Sequence, residues 1–216
     1  MEKQAVIETI KREKLVCVVR ANDSNDARQA IEILSKCGIK VFEITMTVPN
    51  APELIAELNT ENSDVLLGAG TVLDVKQAEK CVQAGAKFVV GPAFDAETVK
   101  FCRANEIAVM PGCLTPTEIL TAWKAGADAV KVFPCDTLGG AKYLKTLKTL
   151  FPHIEMMPTG GVSCVTIADF FAAGAFAVGV GTDLVDLQAL RENRAGEIRE
   201  KARQYLEKVS ESSMNR

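Results

Sequence analysis

Eight short runs rich in β-branched residues alternate with amphipathic helical stretches along the 216 residues of the chain. This alternation predicts an α/β fold with a parallel sheet, a single-domain (βα)₈ or TIM barrel. The helical stretches carry apolar residues at spacings of three and four, as in Ala30, Ile31 and Leu34. The predicted strands cover residues 15–20, 41–46, 65–71, 88–92, 107–112, 129–134, 154–161 and 176–181.

A weak internal repeat favours the closed barrel over an open, doubly wound sheet. Four similar segments each place a glycine where a helix must end and the chain must turn into a strand, a left-handed backbone position that glycine adopts without strain. These segments precede the second, fourth, sixth and eighth predicted strands. Their glycines are Gly38, Gly85, Gly126 and Gly174.

The chain is predicted to form one domain over residues 1–216, because no linker, low-complexity tract or change of composition divides it. A short amphipathic helix is expected before the first strand. The tail, residues 201–216, is predicted to begin as a charged helix and to fray from Ser210 onward.

The composition excludes several classes of function. A net charge of −3 and a pI near 5.4 give no general attraction to nucleic acid or to acidic membranes. No run approaches the roughly 18 apolar residues of a membrane span, and the N-terminus lacks the apolar segment of a signal peptide. Seven cysteines without a C-x-x-C pair, and one histidine, His153, argue against a zinc site. We therefore expect a reduced, cytoplasmic, soluble protein without metal or cofactor.

Lys131 is the one charged residue in the otherwise apolar sixth predicted strand. Desolvating an ammonium costs several kcal/mol, so burial favours the neutral amine, which is the form that attacks a ketone. Lys131 is therefore a candidate Schiff-base nucleophile. In the second strand, Glu43 shares a face with Val41 and Thr45, and we expect Glu43 and Lys131 to meet inside the barrel. The alternative is a purely structural ion pair, although such pairs are in general no more stabilising than apolar packing.

Further candidates lie at the carboxyl ends of strands, where barrels of this class carry their active sites. Arg20 ends the first predicted strand and Thr71 ends the third. An arginine can hold a carboxylate through two parallel hydrogen bonds, and a threonine can add a hydroxyl. The alternative for Arg20 is an ion pair with a nearby acid such as Asp23 or Asp26.

Glycines follow the last two strands, in the segments Gly160-Gly161 and Gly179-Val180-Gly181. Glycine lets backbone N–H groups approach an oxyanion closely, and these two loops form the recurrent phosphate site of such barrels. The sequence therefore predicts a phosphate site there. The alternative is that these glycines serve only the packing of helices against strands.

Seven motifs follow one another along the chain: Phe42-Glu43-Ile44-Thr45, Gly68-Ala69-Gly70-Thr71, Met110-Pro111-Gly112, Thr115-Pro116-Thr117-Glu118, Val130-Lys131-Val132-Phe133-Pro134, Pro158-Thr159-Gly160-Gly161 and Val178-Gly179-Val180-Gly181. Taken in order, these motifs resemble the 2-keto-3-deoxy-6-phosphogluconate (KDPG) and 4-hydroxy-2-oxoglutarate (KHG) aldolases. The resemblance covers most of the chain, and it implies a (βα)₈ barrel that works without a metal, usually as a trimer.

The resemblance implies a class I aldolase that cleaves KDPG to pyruvate and glyceraldehyde 3-phosphate. Lys131 would form the Schiff base and Glu43 would be the general acid/base. Thr71 would help to hold the substrate carboxylate, and Phe133 and Thr159 would line the pyruvyl portion. The implied phosphate-binding residues are Gly160, Gly161, Gly181 and Thr182.

Two positions depart from the family pattern. Many relatives carry an arginine where this chain has Thr47, and Arg20 could supply the missing carboxylate clamp from the neighbouring strand. Relatives commonly have a neutral residue where this chain has Asp183, directly after Thr182. A carboxylate facing the phosphate would weaken its binding, whereas one that caps the following helix would not.

Three alternatives stay open from the sequence. The aldol substrate could be unphosphorylated KHG or the galactonate epimer of KDPG. A phosphosugar isomerase or epimerase would explain the glycine loops but would leave a buried Lys131 without a task. A non-catalytic barrel that binds a phosphorylated metabolite would form no covalent adduct.

Overall fold

The computed structural model describes residues 2–61 and 64–214, which form an α/β fold in which every strand pairing is parallel. One sheet has six strands in the order β5-β4-β3-β2-β1-β9, and a second has three in the order β6-β7-β8. The strands are β1 Leu15–Val19, β2 Val41–Thr45, β3 Leu66–Gly70, β4 Phe88–Val90, β5 Ala108–Met110, β6 Gly112–Cys113, β7 Val130–Val132, β8 Met156–Pro158 and β9 Val178–Val180.

Helices alternate with these strands along the chain, and a short 3₁₀ turn, Asp136–Leu138, follows β7. The α-helices are α1 Lys3–Glu13, α2 Ser24–Lys36, α3 Ala51–Glu61, α4 Val75–Gln83, α5 Ala96–Ala104, α6 Pro116–Ala125, α7 Ala141–Leu150, α8 Ile167–Ala172, α9 Leu187–Arg191 and α10 Ala195–Met214.

Each of the eight predicted strand segments contains a strand, so the predicted alternation is confirmed. The fifth segment is divided into β5 and β6 at Pro111, which has no N–H to contribute to a ladder. The prediction of one continuous barrel is met only in part, because the ladders form two parallel sheets.

The four glycines of the repeat adopt the predicted left-handed conformation. Gly38, Gly85, Gly126 and Gly174 have φ angles of +104°, +97°, +95° and +97°. Each follows a helix and precedes a strand, at positions where a residue with a Cβ would be strained. The repeat is therefore a set of equivalent helix ends.

The motif Thr115-Pro116-Thr117-Glu118 forms the start of α6. Thr115 and Glu118 make a reciprocal capping box, with proline in the first turn. Backbone N–H groups of Thr115 and Leu114 donate to the Glu118 carboxylate and lower its pKa. This part of the family resemblance has a structural explanation in helix capping.

Two apolar clusters fill the fold. The larger one lies between the sheets and the helices that cover them, and includes Phe42 and Val132. The smaller one is built from strand residues of the opposite face, such as Val41 and Met157, together with Val6 and Ile10 of α1. The N-terminal helix therefore supplies side chains to the inner cluster, which the sequence did not predict.

The C-terminal helix extends further than the sequence suggested. α10 continues through Ser210 to Met214, where fraying was predicted, and it packs against α2, α8 and α9. Asn215 and Arg216 lie outside the described residues. In the part of the chain that the structure covers, no helix combines the length and the apolar character needed to cross a membrane.

Ile10 tests the contribution of α1 to the inner cluster. Ile10 is only 1% exposed, so we expect Ile10→Ala to lower the free energy of unfolding by about 2–4 kcal/mol, measured by urea denaturation. Val165 is 87% exposed, and Val165→Ala is the matched control with an expected change below about 0.5 kcal/mol. Equal effects of the two substitutions would show that α1 does not stabilise the fold.

Candidate active site

Lys131 on β7 and Glu43 on β2 form a buried ion pair, although 88 residues separate them in the chain. The Lys131 Nζ lies 3.3 Å from Glu43 Oε1, and the two residues are 4% and 0% exposed. The predicted convergence of these two charges is therefore present. A primary amine and a carboxylate held together away from water can carry out both nucleophilic attack and proton transfer.

Two buried polar atoms at this site have no hydrogen-bond partner among the described residues: Glu43 Oε2 and Thr159 Oγ1. A buried polar group without a partner costs free energy, so it is unusual in a finished core. Both atoms belong to residues that the sequence selected. A bound substrate with hydroxyl or carbonyl groups can supply the missing partners.

Glycines on neighbouring strands make room for these side chains. A Cβ on Gly70 would lie 2.1 Å from Glu43 Oε1, and a Cβ on Gly179 would lie 2.3 Å from Thr159 Oγ1. A Cβ on Gly68 would lie 2.4 Å from the Phe88 ring. Gly179 therefore accommodates Thr159 from the neighbouring strand, and none of the nearest contacts of this position comes from a helix.

A cavity of about 460 Å³ opens beside this pair at the carboxyl ends of the strands. Phe133 connects the two, since its ring centroid lies 5.2 Å from Lys131 Nζ and its side chain lines the cavity. The cavity brings together Arg20, Phe133, Thr159, Gly160, Gly161, Gly181 and Thr182 from the predicted set. Thr71 directly follows β3, has a φ of +55° and is not among the lining residues.

Arg20 does not form the ion pair that was the alternative for it. Among the described residues it makes no salt bridge, because both candidate acids are engaged elsewhere. Asp23 accepts hydrogen bonds from the N–H groups of Asn25 and Asp26 and so caps α2, and Asp26 pairs with Arg191 at 2.6 Å. The exposed guanidinium of Arg20 therefore faces the cavity mouth with its charge uncompensated.

Thr47, which stands where many relatives carry arginine, belongs to a small hydroxyl network. Its hydroxyl lies 2.7 Å from that of Thr45, and the Thr45 hydroxyl donates to the carbonyl of Val19 at 3.1 Å. This network links the end of β2 to the end of β1, directly before Arg20. The position of Arg20 is thus coupled to the strand that carries Glu43.

The loop after β8 places two consecutive glycines in the left-handed region of backbone conformation. Gly160 and Gly161 have φ angles of +98° and +72°, and a Cβ on either would lie 2.7 Å from an atom of Asp136. Both positions therefore favour glycine for conformation, and Gly161 also for space, because the atom that it would meet is the Cβ of Asp136. In the described part of the chain, the N–H groups of Gly161 and Thr182 meet no acceptor, so they are available to an oxyanion.

The Asp183 carboxylate is engaged by α10, and it does not cap the following helix α9, whose N-cap is Asp186. Its Oδ2 accepts a hydrogen bond from the Tyr205 hydroxyl at 2.5 Å and lies 3.3 Å from Lys201 Nζ. Burial, and then the hydrogen bond to Asp183, raise the pKa of Tyr205, so this hydroxyl stays a donor. Asp183 still borders the cavity.

No thiol near the site competes with Lys131 as a nucleophile. Burial raises the pKa of Cys113 and of Cys135 to about 12, with smaller effects from Glu118 and Asp136 respectively. Both thiols are therefore protonated near neutral pH. Within residues 2–61 and 64–214, no three His, Cys, Asp or Glu side chains converge as a metal-binding group.

A comparison of the sequence with models of known protein families assigns this chain to one of them. The model of the KDPG and KHG aldolases matches residues 6–201. The chain belongs to this aldolase family. It is 32% identical over 204 residues to the 2-dehydro-3-deoxy-phosphogluconate aldolase of Treponema pallidum. This match covers 94% of this chain and 97% of that relative. It is 31% identical to the 2-dehydro-3-deoxy-6-phosphogalactonate aldolase of Escherichia coli K12, over 79% of this chain and 83% of the relative.

A solved structure of the aldolase family shows the same fold. The KDPG aldolase of Legionella pneumophila, with pyruvate captured at low pH as a covalent carbinolamine intermediate, superposes with a TM-score of 0.84. The two chains are 27% identical, and the match covers 94% of this chain and 97% of the other. The fold and the family assignment therefore agree.

Several residues at this aldolase site were not selected from the sequence. Val18, Val162 and Ser163 line the cavity, and Lys201 and Tyr205 reach Asp183 from α10. Ser163 could have been selected, because it lies two residues after the pair Gly160-Gly161 in the same loop. No local signal distinguishes Lys201 or Tyr205 from other residues of an amphipathic helix.

Gly70 tests the geometry of the pair. Because an added Cβ would overlap Glu43, we expect Gly70→Ala to displace the carboxylate and to lower kcat/KM for aldol cleavage at least about 100-fold. Gly196 in α10 has open space around its Cβ position, so Gly196→Ala is the matched control with wild-type kinetics. Wild-type activity in Gly70→Ala would show that the position of Glu43 is not critical.

Proposed function

We propose that this chain is a class I aldolase that cleaves KDPG to pyruvate and glyceraldehyde 3-phosphate through a Schiff base on Lys131. The observation that carries the proposal is the buried Lys131–Glu43 pair, 3.3 Å apart, beside a cavity that can hold an anionic substrate. Membership of the KDPG and KHG aldolase family supports the reaction class. The protonated imine that Lys131 forms with the substrate, and not a metal, would withdraw electrons from the bond that breaks.

The first half of the reaction forms the imine. Glu43 first takes the ammonium proton of Lys131, which leaves the Nζ neutral. This amine attacks the C2 ketone of the substrate, and the resulting carbinolamine loses its oxygen as water. Glu43 delivers the proton that this leaving oxygen needs, directly or through one water molecule. The protonated imine then acts as an electron sink for the adjacent carbon–carbon bond.

The second half cleaves that bond. Glu43 or a water molecule that it holds removes the proton of the C4 hydroxyl, the C3–C4 bond breaks, and its electron pair enters the imine. Glyceraldehyde 3-phosphate leaves and an enamine remains on Lys131. Protonation of the enamine at C3 and hydrolysis of the imine then release pyruvate and restore the amine.

The proposal assigns the remaining residues by substrate portion. Arg20 and Thr71 hold the carboxylate, and the uncompensated guanidinium of Arg20 at the cavity supports its part. Phe133 and Thr159 line the pyruvyl portion, where the unpartnered Thr159 hydroxyl can bind substrate oxygen. The phosphate lies against Gly160, Gly161, Gly181 and Thr182.

We further propose that the two sheets are parts of one closed eight-stranded barrel. β5 and β6 are consecutive and separated only by Pro111. On the other side, Thr159 bridges to Gly179, and the Phe176 N–H donates to the Met156 carbonyl at 2.9 Å. These links join β8 to β9 and would complete the ring.

The assembly we propose is a cytoplasmic homotrimer. The family resemblance supports a trimer, and exposed apolar side chains such as Leu73 and Leu150 offer surface that an assembly could bury. Analytical ultracentrifugation would test this, and a monomer at micromolar concentration would contradict it.

A second candidate substrate is the galactonate epimer of KDPG. The similarity to the Escherichia coli 2-dehydro-3-deoxy-6-phosphogalactonate aldolase favours it, because the identity to this relative is 31%, against 32% for the Treponema pallidum enzyme. Comparing kcat/KM for the two C4 epimers, and for unphosphorylated KHG, would rank the three substrates.

Lys131 is tested by trapping. We expect borohydride reduction in the presence of pyruvate to add one reduced pyruvyl group to Lys131, located by peptide mass spectrometry. Lys131→Ala should abolish both the adduct and turnover while the protein stays folded by circular dichroism. Exposed Lys145 is the matched control, and Lys145→Ala should behave as wild type. A folded wild-type protein that forms no adduct would remove the aldolase mechanism.

Glu43 is tested by a nearly isosteric change. Glu43→Gln keeps the volume but removes the proton-transfer group, so we expect kcat to fall by about 10²- to 10⁴-fold. The borohydride-trapped adduct should still form, more slowly. An unchanged kcat would contradict the role of Glu43 as general acid/base.

A further inference from the structure

Tyr205 connects α10 to both loops of the proposed phosphate site. It is fully buried, and its hydroxyl lies 2.5 Å from Asp183 Oδ2 in the loop after β9 and 3.4 Å from the carbonyl of Val162 in the loop after β8. Both contacted residues line the cavity. One side chain of the last helix therefore spans the gap between two loops that belong to different strands.

Lys201, one helical turn before Tyr205, approaches the same carboxylate oxygen at 3.3 Å. The Lys201 side chain is 36% exposed and that of Asp183 is 39% exposed, so solvent screens part of their attraction. Asp183 directly follows Thr182, a proposed phosphate ligand, so an uncompensated carboxylate there would repel a phosphate. The ammonium of Lys201 offsets this charge, and both contacts from α10 hold the carboxylate toward the helix.

We propose that Tyr205 and Lys201 are positioning residues that make the cavity selective for a substrate with a distal phosphate. Tyr205 fixes the spacing of the two glycine loops, and Lys201 keeps the negative charge of Asp183 compensated. This inference rests on the proposed function and deepens it, because it assigns the control of phosphate recognition to a helix outside the strand ends.

A purely structural role makes a different prediction. If Tyr205 and Lys201 only stabilised the fold, their loss would lower stability and affect all substrates alike. Phosphate positioning instead predicts a selective rise of KM for KDPG, with kcat and the kinetics on unphosphorylated KHG unchanged. The two roles are therefore distinguishable by substrate.

The experiment compares Lys201→Met and Tyr205→Phe with a matched control, Arg203→Met. Arg203 lies on the same helix and pairs with Glu200 and Glu207 of that helix, so its loss also removes one positive charge. We expect KM for KDPG to rise about three- to five-fold in Lys201→Met and about ten-fold in Tyr205→Phe. Arg203→Met should stay at the wild-type value. Equal changes on KDPG and KHG, or no change on either, would overturn the proposal.

A charge-rescue variant separates compensation from folding. In Asp183→Asn/Lys201→Met the repelling charge is absent, so KM for KDPG should return to within about two-fold of the wild-type value. If the double variant is as defective as Lys201→Met alone, charge compensation is wrong. This arm decides the matter even if Tyr205→Phe fails to fold.

Two further readouts separate this inference from the proposed function. Pyruvate trapping on Lys131 should be equal in all variants, because it does not involve the distal site; absence of trapping in the wild type would reject the aldolase mechanism alone. Titration with inorganic phosphate by calorimetry does not require turnover. Weaker phosphate binding in Lys201→Met and Tyr205→Phe than in Arg203→Met supports the inference, and equal or absent binding in all four proteins overturns it.

Discussion

The site depends on one buried ion pair, between Lys131 on β7 and Glu43 on β2. Removing two charges from water costs free energy that their attraction offsets only when the geometry is good, so such a pair is a poor way to stabilise a core. Two features of the surrounding structure accompany this pair. Gly70 leaves the volume that the Glu43 carboxylate occupies, and one carboxylate oxygen remains without a partner. A site that binds and protonates a ligand explains both features.

The two ends of the strands have different chemistry. At their amino ends the inward-facing side chains are apolar, and Val6 and Ile10 of α1 pack with them. Toward the carboxyl ends the same faces carry Glu43, Lys131 and Thr159, beside the cavity. The apolar end gives rigidity to strands that place the polar groups, which a loop alone would position less precisely.

Much of this arrangement could be predicted from local sequence. The strand positions follow from short β-branched runs, and the alternation of side chains placed Lys131 and Glu43 on one interior face, because the two-residue period of a strand is a local property. The left-handed glycines were equally local, as Gly38 and Gly174 show. The exact ends of strands were less predictable, since Pro111 divides a segment that otherwise reads as one strand.

The sequence by itself determined the alternating fold class, the two charged residues and the glycine loops, because each depends on residues near one another in the chain. Only the tertiary structure decided which way Asp183 faces, that Asp26 pairs with Arg191 and not with Arg20, and that Tyr205 joins two loops. These are contacts between distant segments. Their geometry depends on how helices dock on the sheets, which no local pattern of residues encodes.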